Sequence, residues 1–203
     1  ELGSIGSLVL LNLTWNRLSG PIPDALGEIH GLTQLDLSYN TLEGELPPSF
    51  QNLISMMGLH LENNRLSGGI SNMLSESSVW HEMQILNLGN NLFNGPLPTS
   101  LGNLSGLLVL DLHSNRFVGE IPSSLGTLSQ LTYVDLSDNL LVGGVPMGFC
   151  GLADLTYLNV SRNRLSGVLS NAGTCGVELD RRSKTCRVLG HSSCSYEYQP
   201  SSL

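Results

Sequence analysis

Leucines alternate with polar residues along this chain in a pattern that restarts about every 24 residues. One unit reads LxxLxLxxN, for instance Leu107, Leu110, Leu112 and Asn115. The LxL alternation predicts a short strand with one buried face, and units of this period stack into a solenoid with a parallel sheet. A lone unit would leave its leucines in water, so stacking is required. The repeat asparagines, spaced 24, 24, 27, 24, 24 and 24 residues apart, are Asn16, Asn40, Asn64, Asn91, Asn115, Asn139 and Asn163.

The repeat asparagine needs hydrogen-bond partners because it lies among leucines. A buried amide without partners costs about 1 to 3 kcal/mol, so we expect a ladder of bonds to backbone groups of neighbouring turns. After the asparagine come an apolar residue, a glycine and usually a proline, as in Phe117, Gly119 and Pro122. Glycine permits a tight turn and proline an extended kink, so each turn is predicted to close on itself. Residues 71–82 lack the proline and supply the three extra residues of the longest step, and they are expected to bulge away from the sheet.

The charge balance narrows the class of partner. The 203 residues carry 17 acidic and 9 basic side chains, a net charge of -8, which argues against nucleic acid and favours a basic partner. Four basic and three acidic residues give residues 171–203 a net +1, so the region before them carries -9. No apolar run approaches the roughly 20 residues of a membrane span, and no signal-peptide pattern opens the chain.

The four cysteines lie in the last quarter of the chain and include no CxxC pair. This distribution indicates disulfides and an oxidising compartment, and four cysteines allow three pairings. The alternative is a zinc site built from Cys186, His191 and Cys194 with Cys175 nearby, but this spacing differs from that of common zinc modules. The sequence otherwise predicts no metal and no cofactor. The predicted disulfide residues are Cys150, Cys175, Cys186 and Cys194.

The surface available for binding can be read from the repeat, since residues beside the strand leucines point away from the core. The central column of this surface consists of Asn12, Asp36, His60, Asn87, Asp111, Asp135 and Asn159. It is either a solvated acidic stripe or the contact surface for a basic ligand. The candidate ligand-binding residues on and beside this column are His60, Glu62, Asp111, His113, Tyr133 and Asp135.

Two of these carboxylates also suggest a catalytic alternative. Asp111 and Asp135 lie on consecutive turns, about 5 Å apart by strand spacing, which is also the separation of the carboxylates in retaining glycosidases. An open sheet offers little desolvation to raise a carboxyl pKa, so binding or simple solvation is favoured over catalysis. His60 and His113 are read in the same way, as solvated or pH-sensitive contacts before metal ligands.

Tyr133 and Tyr157 lie on adjacent turns, beside Arg162. Exposed tyrosines with an arginine are typical of interface hot spots, and two tyrosines on neighbouring strands can equally be a packing pair.

Three sequons are present, at Asn12, Asn103 and Asn159. Asn103 follows the proline in a predicted outer loop and suits a glycan, whereas the other two lie within predicted strands, where a glycan would obstruct a ligand.

The repeat phrase LxxLxLxxNxLxGxIPxxLGxL resembles the plant-specific class of extracellular leucine-rich repeat. The stretches "LGSIGSLVLLNLTWNRLSGPIPDALGEIHGLTQLDLSYNTLEGEL" and "FCGLADLTYLNVSRNRLSGVL" are similar to membrane-proximal repeats of plant receptor kinases of the EXCESS MICROSPOROCYTES kind, relatives of the brassinosteroid and phytosulfokine receptors. The resemblance implies an α/β repeat solenoid, with a parallel β-sheet on the concave face and short helical or 3-10 turns and irregular loops on the convex side. It divides the chain into seven strand-bearing turns over 1–170 and a C-terminal cysteine-containing cap and tail over 171–203. The family's N-terminal cap is not found in this sequence, so the chain is expected to be a fragment.

The resemblance also implies partners and location. Such receptors have a secreted ectodomain, a membrane helix and a cytoplasmic Ser/Thr kinase, of which this sequence shows only the first. It suggests disulfides joining Cys150 to Cys175 and Cys186 to Cys194, a location at the extracellular face of the plasma membrane, and a co-receptor kinase of the somatic-embryogenesis type docking near residues 131–194. The residues carried over as co-receptor contacts are Tyr157, Asn159 and Arg162.

The function favoured by the sequence is therefore non-enzymatic recognition of a secreted peptide or small cysteine-rich protein by part of a receptor ectodomain. The alternative is a secreted inhibitor of microbial cell-wall-degrading enzymes, similar to polygalacturonase inhibitors. A third interpretation is an ice-binding or wall-associated scaffold, for which a flat threonine array would be expected instead of charged and bulky residues. No nucleophile elbow, P-loop or metal motif points to an enzyme.

Overall fold

Short strands recur at regular intervals along the chain. The structure, a computed structural model, describes residues 7–74 and 80–166, together with the backbone of three strands between 177 and 195. Numbered in chain order, the described strands are β1 (Leu10–Asn12), β2 (Ser19–Gly20), β3 (Gln34–Asp36), β4 (Thr41–Glu45), β5 (Gly58–His60), β6 (Arg65–Gly68), β7 (Ile85–Asn87), β8 (Leu92–Pro96), β9 (Val109–Asp111), β10 (Arg116–Glu120), β11 (Tyr133–Asp135), β12 (Leu140–Val142), β13 (Tyr157–Asn159), β14 (Val177–Asp180), β15 (Thr185–Val188) and β16 (Cys194–Ser195).

The odd-numbered strands from β1 to β13 form the predicted parallel sheet, with one strand for each repeat. Each strand buries its central apolar residue, and equivalent residues lie opposite one another, as Leu35 does opposite Leu59. The register is uniform because every repeat supplies the same LxL phrase. Beyond β13 the backbone of β16, β15 and β14 extends the sheet to ten strands.

The three extra residues between the third and fourth repeat asparagines do not disturb this sheet. Gly58 and His60 of β5 pair with Ile85 and Asn87 of β7 in the same parallel register that the 24-residue steps produce. The insertion is therefore accommodated between β6 and β7, outside the sheet, as the sequence predicts. Residues 75–79 of this segment lie outside the described residues.

A second parallel sheet runs along another side of the coil, in the order β12-β10-β8-β6-β4-β2. Sequence reasoning assigned these residues only to a glycine turn, whereas the structure gives them strands that contain the glycine. In β10, Gly119 has φ +79° and lies within a run that pairs with β8 and β12. The reason is that backbone donors and acceptors on this side must also be paired, and the next turn supplies their partners.

Short 3-10 turns close five of the repeats on a further side, in agreement with the predicted fold class. Each begins directly after a proline in an extended conformation, for instance Pro98 at φ -73° and ψ 145°. The last residue of each turn is followed by a leucine or isoleucine whose N–H bonds back into the turn. The five turns are Asp24–Glu28, Pro48–Asn52, Thr99–Asn103, Ser123–Thr127 and Met147–Gly151.

The interior of the coil is one continuous apolar cluster of leucines with a few aromatic side chains. Phe93 and Phe117, on neighbouring turns, stack with ring centroids 6.3 Å apart. At the N-terminal end of the described array Val9 and Leu10 are more than half exposed.

The repeat asparagines form the predicted ladder. Asn115 donates from Nδ2 to the backbone oxygens of Leu112 and His113 in its own turn and of Leu88 in the turn before, at 3.0 to 3.2 Å. Its Oδ1 accepts the backbone N–H of Phe93 at 3.0 Å. The same pattern recurs at Asn40, Asn64, Asn91, Asn139 and Asn163, so their amides are satisfied within the coil. Asn16, in the first turn, bonds only the backbone oxygens of its own turn.

Candidate functional site

The outward side of strands β1 to β13, here called the front face, carries the side chains that the core does not use. The predicted central column is in strict register, because each member pairs with the next across the sheet. The geometry therefore brings together all the candidate residues that sequence reasoning placed on the strands. Their side chains, however, differ in how far they are already bonded to one another, and this decides which of them are available to a ligand.

Asp135 differs from both roles that the sequence allows for it, a solvated carboxylate or a contact for a basic ligand. It is only 6% exposed. Its Oδ1 accepts the backbone N–H and the hydroxyl of Ser137, at 2.9 and 2.6 Å, and its Oδ2 accepts the hydroxyl of Tyr157 and the amide of Asn159, at 3.3 and 3.2 Å. Four donors occupy the carboxylate, so Asp135 holds its neighbours in place and leaves little for a ligand.

Tyr133 and Tyr157 form a parallel stack on adjacent strands, with ring centroids 4.4 Å apart and planes 4° from parallel. Burial raises the pKa of both phenols above the ordinary value, and the nearby carboxylates, among them Asp135, act in the same direction. Both side chains therefore stay neutral over the physiological range. The two rings therefore pack against each other, which is one of the two roles that the sequence allows. The ring edges that remain exposed still offer a rigid apolar contact.

Asp111 and His113 form an ion pair on β9 and just beyond it. The Nδ1 of His113 lies 2.6 Å from Oδ1 of Asp111, and the backbone N–H of His113 bonds the same oxygen at 3.1 Å. The hydrogen bond to Asp111 raises the pKa of His113, although partial burial opposes it. Gly89 on the preceding turn makes room for the ring, since a Cβ there would come within 2.5 Å of the imidazole.

The side chains in the middle of the front face make the fewest hydrogen bonds to other described residues. His60 is half-buried and makes no side-chain hydrogen bond within the described residues, and Asn87 uses only Oδ1, for the backbone N–H of Gly89 at 3.1 Å. Glu62 is half-buried, and its Oε2 has no hydrogen-bond partner there. Burial is the main cause that raises the pKa of Glu62 above the ordinary carboxyl value. A basic or amide-rich ligand would satisfy these groups.

The catalytic alternative finds little support in this geometry. Asp111 and Asp135 do lie opposite each other across β9 and β11. Each carboxylate already has partners, in His113 for the first and in Ser137, Tyr157 and Asn159 for the second. Among the described residues no group of three or more His, Cys, Asp or Glu side chains is arranged to hold a metal ion.

The remaining predicted contact residue, Arg162, lies at the edge of the front face. Its Nη1 donates to Oδ2 of Asp138 at 3.2 Å, and both side chains are substantially exposed. Solvent weakens such a pair to about 0 to 1 kcal/mol, so a partner can compete for either charge.

The three sequons occupy different environments. Asn103 is exposed at the end of its 3-10 turn. Asn159 is half-buried and bonded at both ends of its amide, to Asp135 from Nδ2 and to the backbone N–H of Ser161 through Oδ1. Asn12 is exposed on β1, where it donates to Asp36 at 3.3 Å.

Only part of the cysteine prediction falls within the described structure. Cys150, in the last 3-10 turn, is disulfide-bonded. The backbone register of β15 and β16 places Cys186 opposite Cys194. Cys175 and His191 lie outside the described residues, so the predicted pairings and the zinc alternative stay predictions.

Sequence reasoning missed one pair of exposed side chains. Trp15 and Tyr39 occupy equivalent positions on the first two turns, and their rings stack with centroids 4.1 Å apart and planes 9° from parallel. Both lie directly before a repeat asparagine. Aromatic residues at that position in two successive repeats were the signal available in the sequence.

Comparison with known families agrees with the fold. Leucine-rich repeat models match residues 109–165 and, as three single repeats, residues 7–29, 31–53 and 82–104. The chain is therefore a leucine-rich repeat protein, a class whose solenoid is a non-catalytic scaffold. No curated protein sequence matches the chain. No helix among the described residues is both long and apolar enough to cross a bilayer.

Among solved structures, the chain is similar to plant receptor ectodomains. It is 36% identical to the plant peptide hormone receptor RGFR1, solved in complex with RGF2, with a TM-score of 0.78 over 82% of this chain and 26% of that one. It is 31% identical to the Arabidopsis receptor kinase HAESA, solved with the peptide hormone IDA and the co-receptor SERK1, with a TM-score of 0.52 over 81% of this chain and 35% of that one.

A third solved structure is a plant ice-binding protein. It is 31% identical to this chain, with a TM-score of 0.71, and the match covers 83% of this chain and 53% of that one. The chain thus spans about a quarter to a half of the length of these three proteins.

Proposed function

We propose that this chain is part of the extracellular region of a plant leucine-rich repeat receptor kinase and that it binds a secreted peptide on its front face. The observation that carries the proposal is the uncommitted middle of that face, where His60, Glu62 and Asn87 keep polar groups without partners in the described residues. The similarity to ectodomains solved with peptide hormones supports it. The net charge of -8 favours a peptide with basic groups.

The experiment is a binding screen against a library of synthetic plant secreted peptides, with the complete 203-residue chain immobilised. For any peptide that binds, His60→Ala is expected to weaken affinity about tenfold, because one buried polar contact contributes roughly 1.4 kcal/mol. His30→Ala is the matched control, since His30 is exposed in the connection between a 3-10 turn and β3. Equal affinities for the two variants would place the peptide elsewhere.

A finer part of the proposal concerns a co-receptor. Arg162 and the outer edges of Tyr157 and Asn159 lie at the C-terminal end of the front face, where an exposed ion pair and a rigid aromatic stack suit a protein contact. The complex of HAESA with a peptide and a co-receptor supports this partner class. Arg162→Glu should abolish peptide-dependent association with a somatic-embryogenesis-type ectodomain while leaving peptide affinity intact. Unchanged association would reject this surface.

The proposal includes an extracellular location and a glycan. It also includes the finer assignment to receptors of the EXCESS MICROSPOROCYTES kind, which the two quoted repeat stretches support.

Asn103 is the proposed glycan acceptor, since it is exposed on a 3-10 turn away from the front face, whereas the amide of Asn159 is bonded on both sides. Glycopeptide mass spectrometry of secreted protein should find Asn103 occupied and Asn159 empty. The reverse occupancy would contradict a ligand surface on β13.

Ice binding is the second candidate because a plant ice-binding protein shares the fold at 31% identity. Its test is thermal hysteresis of the purified chain. The front face presents Asp36, Asp111 and a tyrosine stack in place of a flat array of small hydroxyls, so we expect no hysteresis. None of the three solved structures is described as an inhibitor of wall-degrading enzymes, so that alternative gains no support from them.

A further inference from the structure

We propose that Trp15, Tyr39 and Glu62 form a subsite that binds one cationic side chain, an arginine or lysine, of the peptide ligand. The inference deepens the proposed function, on which it rests for the nature of the ligand. It starts from two features that the fold itself does not use: an exposed aromatic stack at the N-terminal end of the front face and, one turn further along, a carboxylate oxygen without a partner within the described residues.

The aromatic stack lies on a strained part of the backbone. Trp15 and Tyr39 have φ values of +54° and +52°, in the left-handed region that favours glycine and asparagine and that bulky residues rarely occupy. Four of the five equivalent positions in later turns hold asparagine, serine or aspartate side chains suited to this conformation, namely Asn63, Asn90, Ser114 and Asp138. Bulky aromatics in their place, with Trp15 74% exposed, contribute nothing to the core.

Backbone contacts join this stack to the unpaired carboxylate. The N–H of Trp15 bonds the carbonyl of Ser38 at 3.1 Å, and the N–H of Tyr39 bonds the carbonyl of Glu62 at 2.9 Å. Trp15, Tyr39 and Glu62 therefore lie on three successive turns at one end of the sheet. Oε2 of Glu62 is buried and unbonded within the described residues, and burial raises the pKa of this carboxyl group.

Charge complementarity identifies the occupant. Asp36 contributes a second carboxylate beside Glu62, and its presence adds to the rise in the pKa of Glu62. No lysine or arginine lies on strands β1, β3 or β5. His60, on β5, acts to lower the pKa of Glu62, but burial outweighs it and the pKa stays raised. A cation that stacks on an aromatic face and pairs with a carboxylate satisfies both features at once, and guanidinium does this best because it is planar and bidentate.

The two tryptophans make the subsite directly observable. Trp15 is exposed, whereas Trp80 is fully buried. In a two-dimensional NMR spectrum of the ¹⁵N-labelled chain, the indole N–H of Trp15 therefore reports on the subsite and that of Trp80 on the integrity of the core. The probe is the peptide acetyl-Gly-Gly-Arg-Gly-Gly-amide, and the same peptide with citrulline, which is nearly isosteric but uncharged, is its control.

We expect the arginine peptide to shift the Trp15 signal saturably and to bind about fivefold more tightly than the citrulline peptide. Glu62→Gln should remove this preference. Glu43→Gln, which deletes the same charge from an exposed position on β4, should keep it. Equal binding of the two peptides, or equal behaviour of the two variants, would overturn the subsite.

These outcomes are separable from the proposed function. If the arginine peptide shows the predicted preference but no secreted peptide in the library binds, the subsite stands and the proposed function fails. If a library peptide binds through His60 while the arginine and citrulline probes do not differ, the proposed function stands and the subsite fails. An unchanged Trp80 signal in each variant shows that the result does not reflect unfolding.

Discussion

At the scale of single residues, one side chain in each turn satisfies backbone groups of two turns. Asn115 bonds four backbone atoms, three carbonyl oxygens and one N–H, which no apolar side chain of the same size can do. The sequence could predict this role because the asparagine recurs with the period of the leucines. It could not predict that the carboxylate of Asp135 would also accept several hydrogen bonds, since two of its donors, Ser137 and Asn159, are ordinary polar residues in the pattern.

Asn115→Leu is expected to lower the free energy of unfolding by about 3 kcal/mol, because it leaves buried backbone groups without partners. Asn16→Leu is the matched control at the exposed first turn, where the amide bonds only Leu13 and Thr14 of its own turn. Its loss should be under about 1 kcal/mol. Urea denaturation followed by circular dichroism measures both, and equal losses would reject the ladder as the source of stability.

The ion pair of Asp111 and His113 predicts a pH dependence at the same scale. Because the pKa of His113 is raised in the folded state, chiefly by its bond to Asp111, the pair stabilises the fold below the ordinary histidine pKa and this contribution fades as pH rises through the folded value. The negative charges of Asp135 and Asp138 act in the same direction on the pKa of His113.

Wild-type protein should therefore lose more stability than His113→Gln between about pH 5.5 and pH 8.5. His30→Gln serves as the exposed control and should follow the wild type. Chemical denaturation at the two pH values checks this, and an NMR titration of the His113 ring gives the pKa itself. A His113 pKa at or below the ordinary histidine value would refute the assigned cause.

At the scale of elements, the leucine period predicted the first sheet and the family resemblance implied the 3-10 turns, but the second sheet was missed. The first sheet is readable because LxL alternates in and out, as Leu35 and Leu37 do around Asp36. The second is not, because its strands contain glycine, which by composition indicates a turn. Gly95 illustrates this, since it has φ +77° within β8.

Gly95→Ala isolates this backbone requirement. No other group lies within 4 Å of a Cβ built at Gly95, so the cost should be conformational alone, about 1 kcal/mol. Gly151→Ala is the control, since its Cβ is equally unobstructed and its φ is not positive. Thermal melting of the two variants should show a lower midpoint for Gly95→Ala only. A neutral Gly95→Ala would mean that the strand tolerates another backbone path.

At the scale of the whole molecule, the coil separates stability from recognition. Most leucines and all four phenylalanines pack in the core, the repeat asparagines bond backbone groups, and the front face is free to vary. The sequence could predict which residues share that face, because the register follows from the period. It could not predict which are already bonded to each other, because that depends on rotamers and on neighbours such as Gly89, whose missing side chain admits the ring of His113.

The most direct measurement is photo-cross-linking of a library peptide that binds, carrying a photoreactive residue, to the 203-residue chain. If the middle of the front face is the ligand surface, mass spectrometry will locate the cross-links on β5, β7 and β9, close to His60, Asn87 and Asp111. Cross-links confined to the 3-10 turns or to the second sheet would contradict the account.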